Sequence, residues 1–312
     1  MTKIPVIVIF APTACGKTAL AKDFFGKSSL SCFKGMGEVI SADSQAVYIG
    51  MNLGTAKPDS EEQKDLPHHL INLINPDVQF GAGDFLPLAD QKCREIYERK
   101  KIPIVLGGTG FYIRNFLLGL PKTPESNPEL RKSLMERAKN EGSLSLYKEL
   151  QKIDPLYASK INSHDSYRIC RALEVYKLSG KILSSIKVPD ELRPQYNFKT
   201  IILTRERQDL YSRIDSRVEK MFEEGLAQEV ENLRNQGYGK ECPGMKAIGY
   251  SEFFEENQDL QSIKEKIKLD SHHYAKKQYT FMKGIPNSKT INADDKSTFY
   301  QIIKEFFSSL GL

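Results

Sequence analysis

The tightest constraint on the fold is local. A run of apolar, β-branched residues, PVIVIF (Pro5–Phe10), leads directly into APTACGKT (Ala11–Thr18) and then into a helix-compatible stretch from Thr18 to Phe25. Such a run suits a strand covered on both faces of a parallel sheet. A loop ending in Gly-Lys-Thr between that strand and a helix is the setting of a phosphate-binding loop, in which backbone N–H groups and the helix N-terminus face an anion. Ala11, Thr13, Ala14, Cys15, Gly16, Lys17 and Thr18 are therefore candidate anion-binding residues; Lys17 adds a point charge and Thr18 can reach a magnesium ion. Ala11 stands where the motif has its first glycine, and a positive φ there would cost about 1 kcal/mol. Cys15, near a helix N-terminus, is either a small packing residue or a thiol of lowered pKa.

Three further segments repeat the pattern of a short apolar strand: EVISA (Glu38–Ala42), IPIVL (Ile102–Leu106) and TIIL (Thr200–Leu203). Strands alternating with helices predict an α/β fold, a P-loop NTPase-like parallel sheet that binds ligands at the strands' carboxyl ends. Between Pro121 and Pro194 the strand signal is replaced by apolar residues at helical spacing, as in Leu144, Tyr147, Leu150 and Ile153, or Ile169, Leu173 and Tyr176. The expected organisation is a core formed by 1–120 and 195–312, with a helical insertion over 121–194. Leu210, Ile214, Val218, Met221 and Phe222 predict one long amphipathic helix ending near Gly237, with more helices after Ser251. Gly26 to Gly37 reads as a loose, serine-rich surface loop.

With 312 residues, 40% hydrophobic and 27% charged, the chain fits a soluble globular protein rather than a disordered one. Five cysteines without a C-x-x-C pair point away from a disulfide framework or zinc ribbon. The start, Met1 to Phe10, has no cleavage-site pattern, and no run of about 18 apolar residues could span a bilayer, so a cytosolic protein without membrane attachment is expected. The net charge of +5 is mild, but Lys160 to Arg217 alone holds twelve basic against seven acidic residues. That stretch is either a solvated helical face or a phosphate-binding surface.

Asp43 ends the second strand, at the sheet rim beside the phosphate loop, and is the candidate general base. The alternatives are a helix cap or a metal-shell ligand. GGTG (Gly107–Gly110) ends the third strand where a metal-binding Asp would be usual in a nucleotidase, and Thr109 offers a hydroxyl there. Arg168 and Arg171, three apart on a helix, could pin phosphates or pair with Glu174. Arg205 closes the fourth strand, where its charge could neutralise a leaving diphosphate.

In order and wording, several segments resemble the tRNA dimethylallyltransferase family, bacterial type: APTACGKT, SADSQAVYIGMNLGTAKP (Ser41–Pro58), PHHLINLINP (Pro67–Pro76), GGTGFYIRNFLLGL (Gly107–Leu120), RICRALEVYKLSGK (Arg168–Lys181), RVEKMFEEGLAQEV (Arg217–Val230), KAIGYSEF (Lys246–Phe253) and YAKKQYTF (Tyr274–Phe281). The likeness spans nearly the whole chain. It implies transfer of a dimethylallyl group from dimethylallyl diphosphate to N6 of adenosine 37 in the anticodon stem-loop of tRNA, with Mg²⁺ as cofactor and a monomeric enzyme. By the same resemblance Asp43 is the base, Thr109 assists it, and Thr13 to Thr18 with Arg205 hold the diphosphate. The tRNA contacts fall on Asp43, Ser44, Gln45, Ala46, Thr109, Arg131, Tyr167, Arg168 and Arg171. The family's Asp-Ser-x-Gln is here Asp43-Ser44-Gln45-Ala46, so the glutamine that helps to read the target adenine is either displaced or missing. A P-loop kinase, a prenyltransferase for free adenine nucleotides, and a catalytically silent RNA-binding protein are the competing classes.

Overall fold

The structure, a computed structural model, describes residues 3–256 and 259–311; Met1, Thr2, Asn257, Gln258 and Leu312 lie outside the described residues. Six strands form one all-parallel sheet: β1 (Ile4–Phe10), β2 (Gly37–Ser41), β3 (His68–His69), β4 (Ile102–Gly107), β5 (Tyr196–Thr204) and β6 (Ser288–Asn292), in the order β3-β2-β4-β1-β5-β6. The apolar run of β1 lies at the centre, its residues from Val6 to Phe10 fully buried between β4 and β5. This is the P-loop-like parallel α/β core that the strand pattern predicts. The edge strands β3 and β6 are absent from that reading because neither carries a run of apolar residues; in β6 only Ile291 is buried.

The chain divides into two compact units, one formed by the chain up to Leu117 and from Leu192 onward, the other by Leu118–Glu191. The second unit sits three residues earlier than the proline-bounded 121–194. Its own core packs Leu134, Leu146, Leu150, Ile169 and Leu173 from three helices, Pro128–Asn140, Ser143–Ile153 and Ser166–Ser179. In the first unit the two ends of this excursion are tied together: Arg193 N donates to the Leu117 carbonyl (2.9 Å), and the Arg193 guanidinium binds Asp90 (2.9 Å).

Two local expectations are corrected. The long helix predicted to run to Gly237 breaks into Arg207–Glu223 and Leu226–Asn235, because Gly225 adopts φ +99, a left-handed turn open to glycine. The Gly26–Gly37 loop is anchored rather than loose. Phe33 packs on Phe25 and Phe307, Ser29 Oγ donates to the Asp23 carbonyl (2.6 Å), and Ser28 N donates to Asp65 (2.6 Å). Among the described residues no helix is long and apolar enough to cross a membrane.

Backbone hydrogen bonds knit the carboxyl ends of three strands. Ala11 N donates to the Gly107 carbonyl (3.3 Å), Ala42 N to the Leu106 carbonyl (2.8 Å), and Thr109 N to the Ala42 carbonyl (3.1 Å). Only glycine fits at 107, since a Cβ there would lie 2.1 Å from the Ala42 carbonyl oxygen. Gly107→Ala is therefore expected to destabilise the protein by about 1–3 kcal/mol or more, as backbone has to move. An unchanged unfolding midpoint in denaturant would refute the close approach.

Candidate active site

The loop after β1 enters the helix Lys17–Phe25 through two left-handed residues, Ala14 (φ +57) and Gly16 (φ +96). Ala11 is not left-handed; it is fully buried and donates to β4, so its departure from glycine is free of backbone strain. The strain falls on Ala14, at about 1–2 kcal/mol. The first amides of the helix have no partner within it and so remain available to an anion.

A cavity of about 390 Å³ opens at the strand ends, lined by Thr13, Lys17 and Thr18 from the loop, and by Asp43, Ser44, Gln45 and Ala46 beyond β2. The carboxylate and the lysine-bearing turn thus face one space. A second cavity, of about 860 Å³, shares Lys17, Thr18, Lys57 and Arg217 with the first. Loss of water lowers the Lys17 pKa, and the charge of Asp43 opposes that shift. Burial also lowers Arg217, again against Asp43, and it depresses Lys57 to about 8 despite Glu229 and Asp43.

Asp43 Oδ1 accepts from Gln45 N (2.9 Å), which turns the chain sharply after β2. Thr109 fastens this turn rather than lining the cavity: its Oγ1 accepts from Ser44 N (2.9 Å) and lies 3.3 Å from Ser44 Oγ. The Gln45 carboxamide oxygen is buried without a hydrogen-bond partner. On the helix Leu260–Met282, Gln278 accepts from Thr13 N (3.0 Å) and donates to the Gly108 carbonyl (2.8 Å), bridging two strand ends. Burial first, then Asp43, pushes the Tyr274 hydroxyl up to about 12.

Arg205 reaches the phosphate loop, as its place at the end of β5 predicts, but its guanidinium is already paired. Its guanidinium is spent on Asp209 (2.6 Å), Asp294 (2.7 Å) and the Cys15 carbonyl (3.3 Å), and it does not line the cavity. It braces the loop from outside, and β6 is the element that brings up Asp294. Cys15 is fully buried, and desolvation raises its thiol, which makes it a packing residue. The arginine that does line the cavity is Arg217, whose guanidinium donates to Thr13 Oγ1 and to the Thr55 carbonyl (3.4 Å each). Its trace in the sequence is a charge beside Ile214, Val218 and Met221 on the apolar side of an amphipathic helix.

Arg131, Tyr167, Arg168 and Arg171 lie in the unit Leu118–Glu191. Of the two alternatives for Arg171 the structure shows the pairing with Glu174, and Arg131 joins it there. Both bind the fully buried carboxylate of Glu174 (3.1 and 2.7 Å), which also accepts from Ser126 Oγ and Asn127 N. Burial pushes the Glu174 pKa up, but the two arginines outweigh it and hold the carboxyl low. Arg168 is exposed and pairs with Asp165, and Tyr167 is half exposed over Arg131.

Thr18 is the loop residue suited to a magnesium ion. Among the described residues no group of three His, Cys, Asp or Glu could hold a metal, so an ion here would draw most of its ligands from phosphate oxygens and water.

The model of the family IPP transferase matches residues 46–285. The chain belongs to the IPP transferase family. Among curated relatives, the tRNA dimethylallyltransferase 1 of Syntrophotalea carbinolica is 40% identical over 96% of this chain and 94% of its own. A tRNA dimethylallyltransferase of Thermoanaerobacter sp. is 37% identical over 99% and 98%. The solved tRNA isopentenylpyrophosphate transferase of Bacillus halodurans superposes with a TM-score of 0.69 at 33% identity, covering 98% of each chain. A eukaryotic dimethylallyltransferase acting on tRNA gives 0.74 at 25% identity, over 97% of this chain and 77% of that one.

Two outcomes follow from this geometry. Pyrophosphate affinity is expected to fall as pH rises through about 8, where Lys57 loses its proton, and Lys57→Met should lack that inflection in titration calorimetry. Glu174→Ala leaves two partly buried guanidinium groups without their anion and should cost about 3–5 kcal/mol. Hydrogen exchange in the helix Ser166–Ser179 would read that loss, and unchanged protection would contradict it.

Proposed function

We propose that this chain transfers a dimethylallyl group from dimethylallyl diphosphate to N6 of adenosine 37 in tRNA and releases diphosphate. One observation carries the reading: Asp43 and the Lys17–Thr18 turn line the same cavity. The donor's diphosphate lies against the loop amides, Lys17 and Arg217. Its five-carbon tail lies along Ile214, Val218, Met221 and Ile267, which also line the space.

Adenine N6 is a weak nucleophile, so rate depends on alignment with the allylic C1, removal of a proton, and stabilisation of the departing charge. As the N6–C1 bond forms, the C1–O bond breaks; Asp43 takes a proton from N6 and the electron pair leaves on diphosphate. Thr109, through Ser44, fixes the turn that aims Asp43. The unpartnered Gln45 oxygen accepts a hydrogen bond from the N–H that N6 keeps, so the glutamine reads the base from its position here. A magnesium ion shared between Thr18 and the diphosphate would neutralise part of the leaving charge.

A base inside an anticodon loop has to be extruded to reach such a cavity. Tyr167 and Arg168, exposed on the helical unit, are the contacts assigned to tRNA. We assign the enzyme to the cytoplasm, where its tRNA substrate resides, and to a monomer.

Incubation with labelled dimethylallyl diphosphate and either tRNA or AMP tests the reaction; label should enter tRNA, and label in AMP alone would overturn the reading. Asp43→Ala should lower turnover by roughly 10²–10⁴-fold with tRNA affinity retained. Undiminished turnover would remove Asp43 from the chemistry.

A further inference from the structure

The segment Gly54–Pro58 forms a strap over the cavity, and Thr55, Ala56 and Lys57 are part of its wall. Its approach is held by a single carboxylate outside the cavity. Glu229, on the helix Leu226–Asn235, accepts from Asn52 N (3.0 Å), Leu53 N (3.0 and 3.1 Å) and Gly54 N (3.5 Å). Three successive amides converging on one carboxylate make a charge-assisted cluster, stronger than neutral hydrogen bonds. The fully buried Tyr250 adds its hydroxyl to Glu229 Oε1 (2.7 Å). It also closes the space beside the strap, since a Cβ on Gly54 would lie 2.5 Å from its ring.

The strap in turn orients Arg217. Among the described residues no ion pair holds this guanidinium; the Thr55 carbonyl and Thr13 Oγ1 receive its hydrogen bonds. Arg205, by contrast, is locked by two carboxylates. A cation left without a carboxylate keeps its charge for a ligand, but its direction then depends on where the Thr55 carbonyl sits. Lys57 anchors the strap's other end, donating to the Tyr48 carbonyl and to Asn72 Oδ1 (2.7 Å).

We infer that Glu229 is a positioning residue for the prenyl donor: by gathering the amides of Asn52 to Gly54 it sets the strap whose Thr55 carbonyl aims Arg217 at the phosphate loop. The inference rests on the proposed prenyl transfer and adds a residue outside the cavity that governs how the diphosphate is held. A glutamine at 229 keeps the shape but loses the negative charge and turns an N–H₂ toward the strap's N–H groups. The damage therefore falls on the donor side of the reaction and leaves the tRNA side intact.

The test compares the unaltered chain with Glu229→Gln and Tyr250→Phe. The expected result is a rise of about tenfold in KM for dimethylallyl diphosphate in Glu229→Gln and a smaller rise in Tyr250→Phe, with KM for tRNA within about twofold of the unaltered value. In an Arg217→Ala background, Glu229→Gln should add little further loss, because the two act through one contact. A donor KM unchanged in soluble Glu229→Gln, equal rises in both KM values, or fully additive losses would overturn the inference. If Glu229→Gln does not fold, Tyr250→Phe decides by the presence or absence of the donor-KM rise. Should the unaltered chain transfer no label to tRNA, the proposed reaction falls by itself. Pyrophosphate binding by calorimetry then still tests Glu229: about tenfold weaker binding in Glu229→Gln supports it, and equal binding refutes it.

Discussion

Three short backbone hydrogen bonds, from Ala11, Ala42 and Thr109 to neighbouring strand ends, fix where every reactive group of this protein can be. They bind the ends of β1, β2 and β4 into one rigid rim, and Gly107 lets Ala42 approach without a side chain between them. The phosphate loop, the Asp43 turn and the Gly107–Thr109 turn leave that rim in directions set by the sheet. Because parallel strands all finish on the same side, a carboxylate from one and a lysine from another converge without any long connecting element. Gln278 then ties two of the turns from above through one side-chain amide. The shape of the cavity is thus a property of main-chain geometry, and the side chains inside it decide only the chemistry.

Positive charge in this molecule is sorted by what it is allowed to pair with. Arg205, Arg131 and Arg171 each meet a carboxylate, and their guanidinium groups serve as internal braces. Among the described residues Lys17 and Arg217 have no ion pair, and the charge of Asp43 acts on both. Their pKa values are lowered chiefly by burial, which Asp43 opposes. A buried cation without a counter-ion is costly in a protein that binds nothing. In the proposed prenyl transfer such a cation is where the diphosphate would lie.

The parts of this design that were legible in the sequence are those set by neighbours along the chain. The central strands follow from their apolar runs, and the positions of Lys17 and Asp43 follow from where those runs stop. The edge strands β3 and β6 were hidden because half-exposed pairing needs no apolar signature. The place of Arg205 at the end of β5, beside the phosphate loop, is visible in the sequence, whereas its partner Asp294 reaches it only through the unforeseen β6. Arg217 is marked only by a charge on an apolar helix face, and Lys57 and Gln278 carry no local mark; the partners of Arg217 and Gln278 lie far away in sequence. Arg168, Arg171 and Glu174 show the same limit in the helical unit. Spacing puts them on one face, but only tertiary packing decides which guanidinium is captured by the buried carboxylate.

The return of the chain at Leu117 and Arg193 has a consequence for biosynthesis. The central strand β1 leaves the ribosome long before β5, so Ile7 waits for Lys199 as its neighbour. Until then one flank of an entirely apolar strand has no partner, while the helical excursion can close its own core independently. A nascent chain of this kind is slow to complete its sheet and vulnerable to wrong pairing while it waits. In the folded chain the bond from Arg193 N to the Leu117 carbonyl holds the two ends of the excursion together three residues before β5 begins.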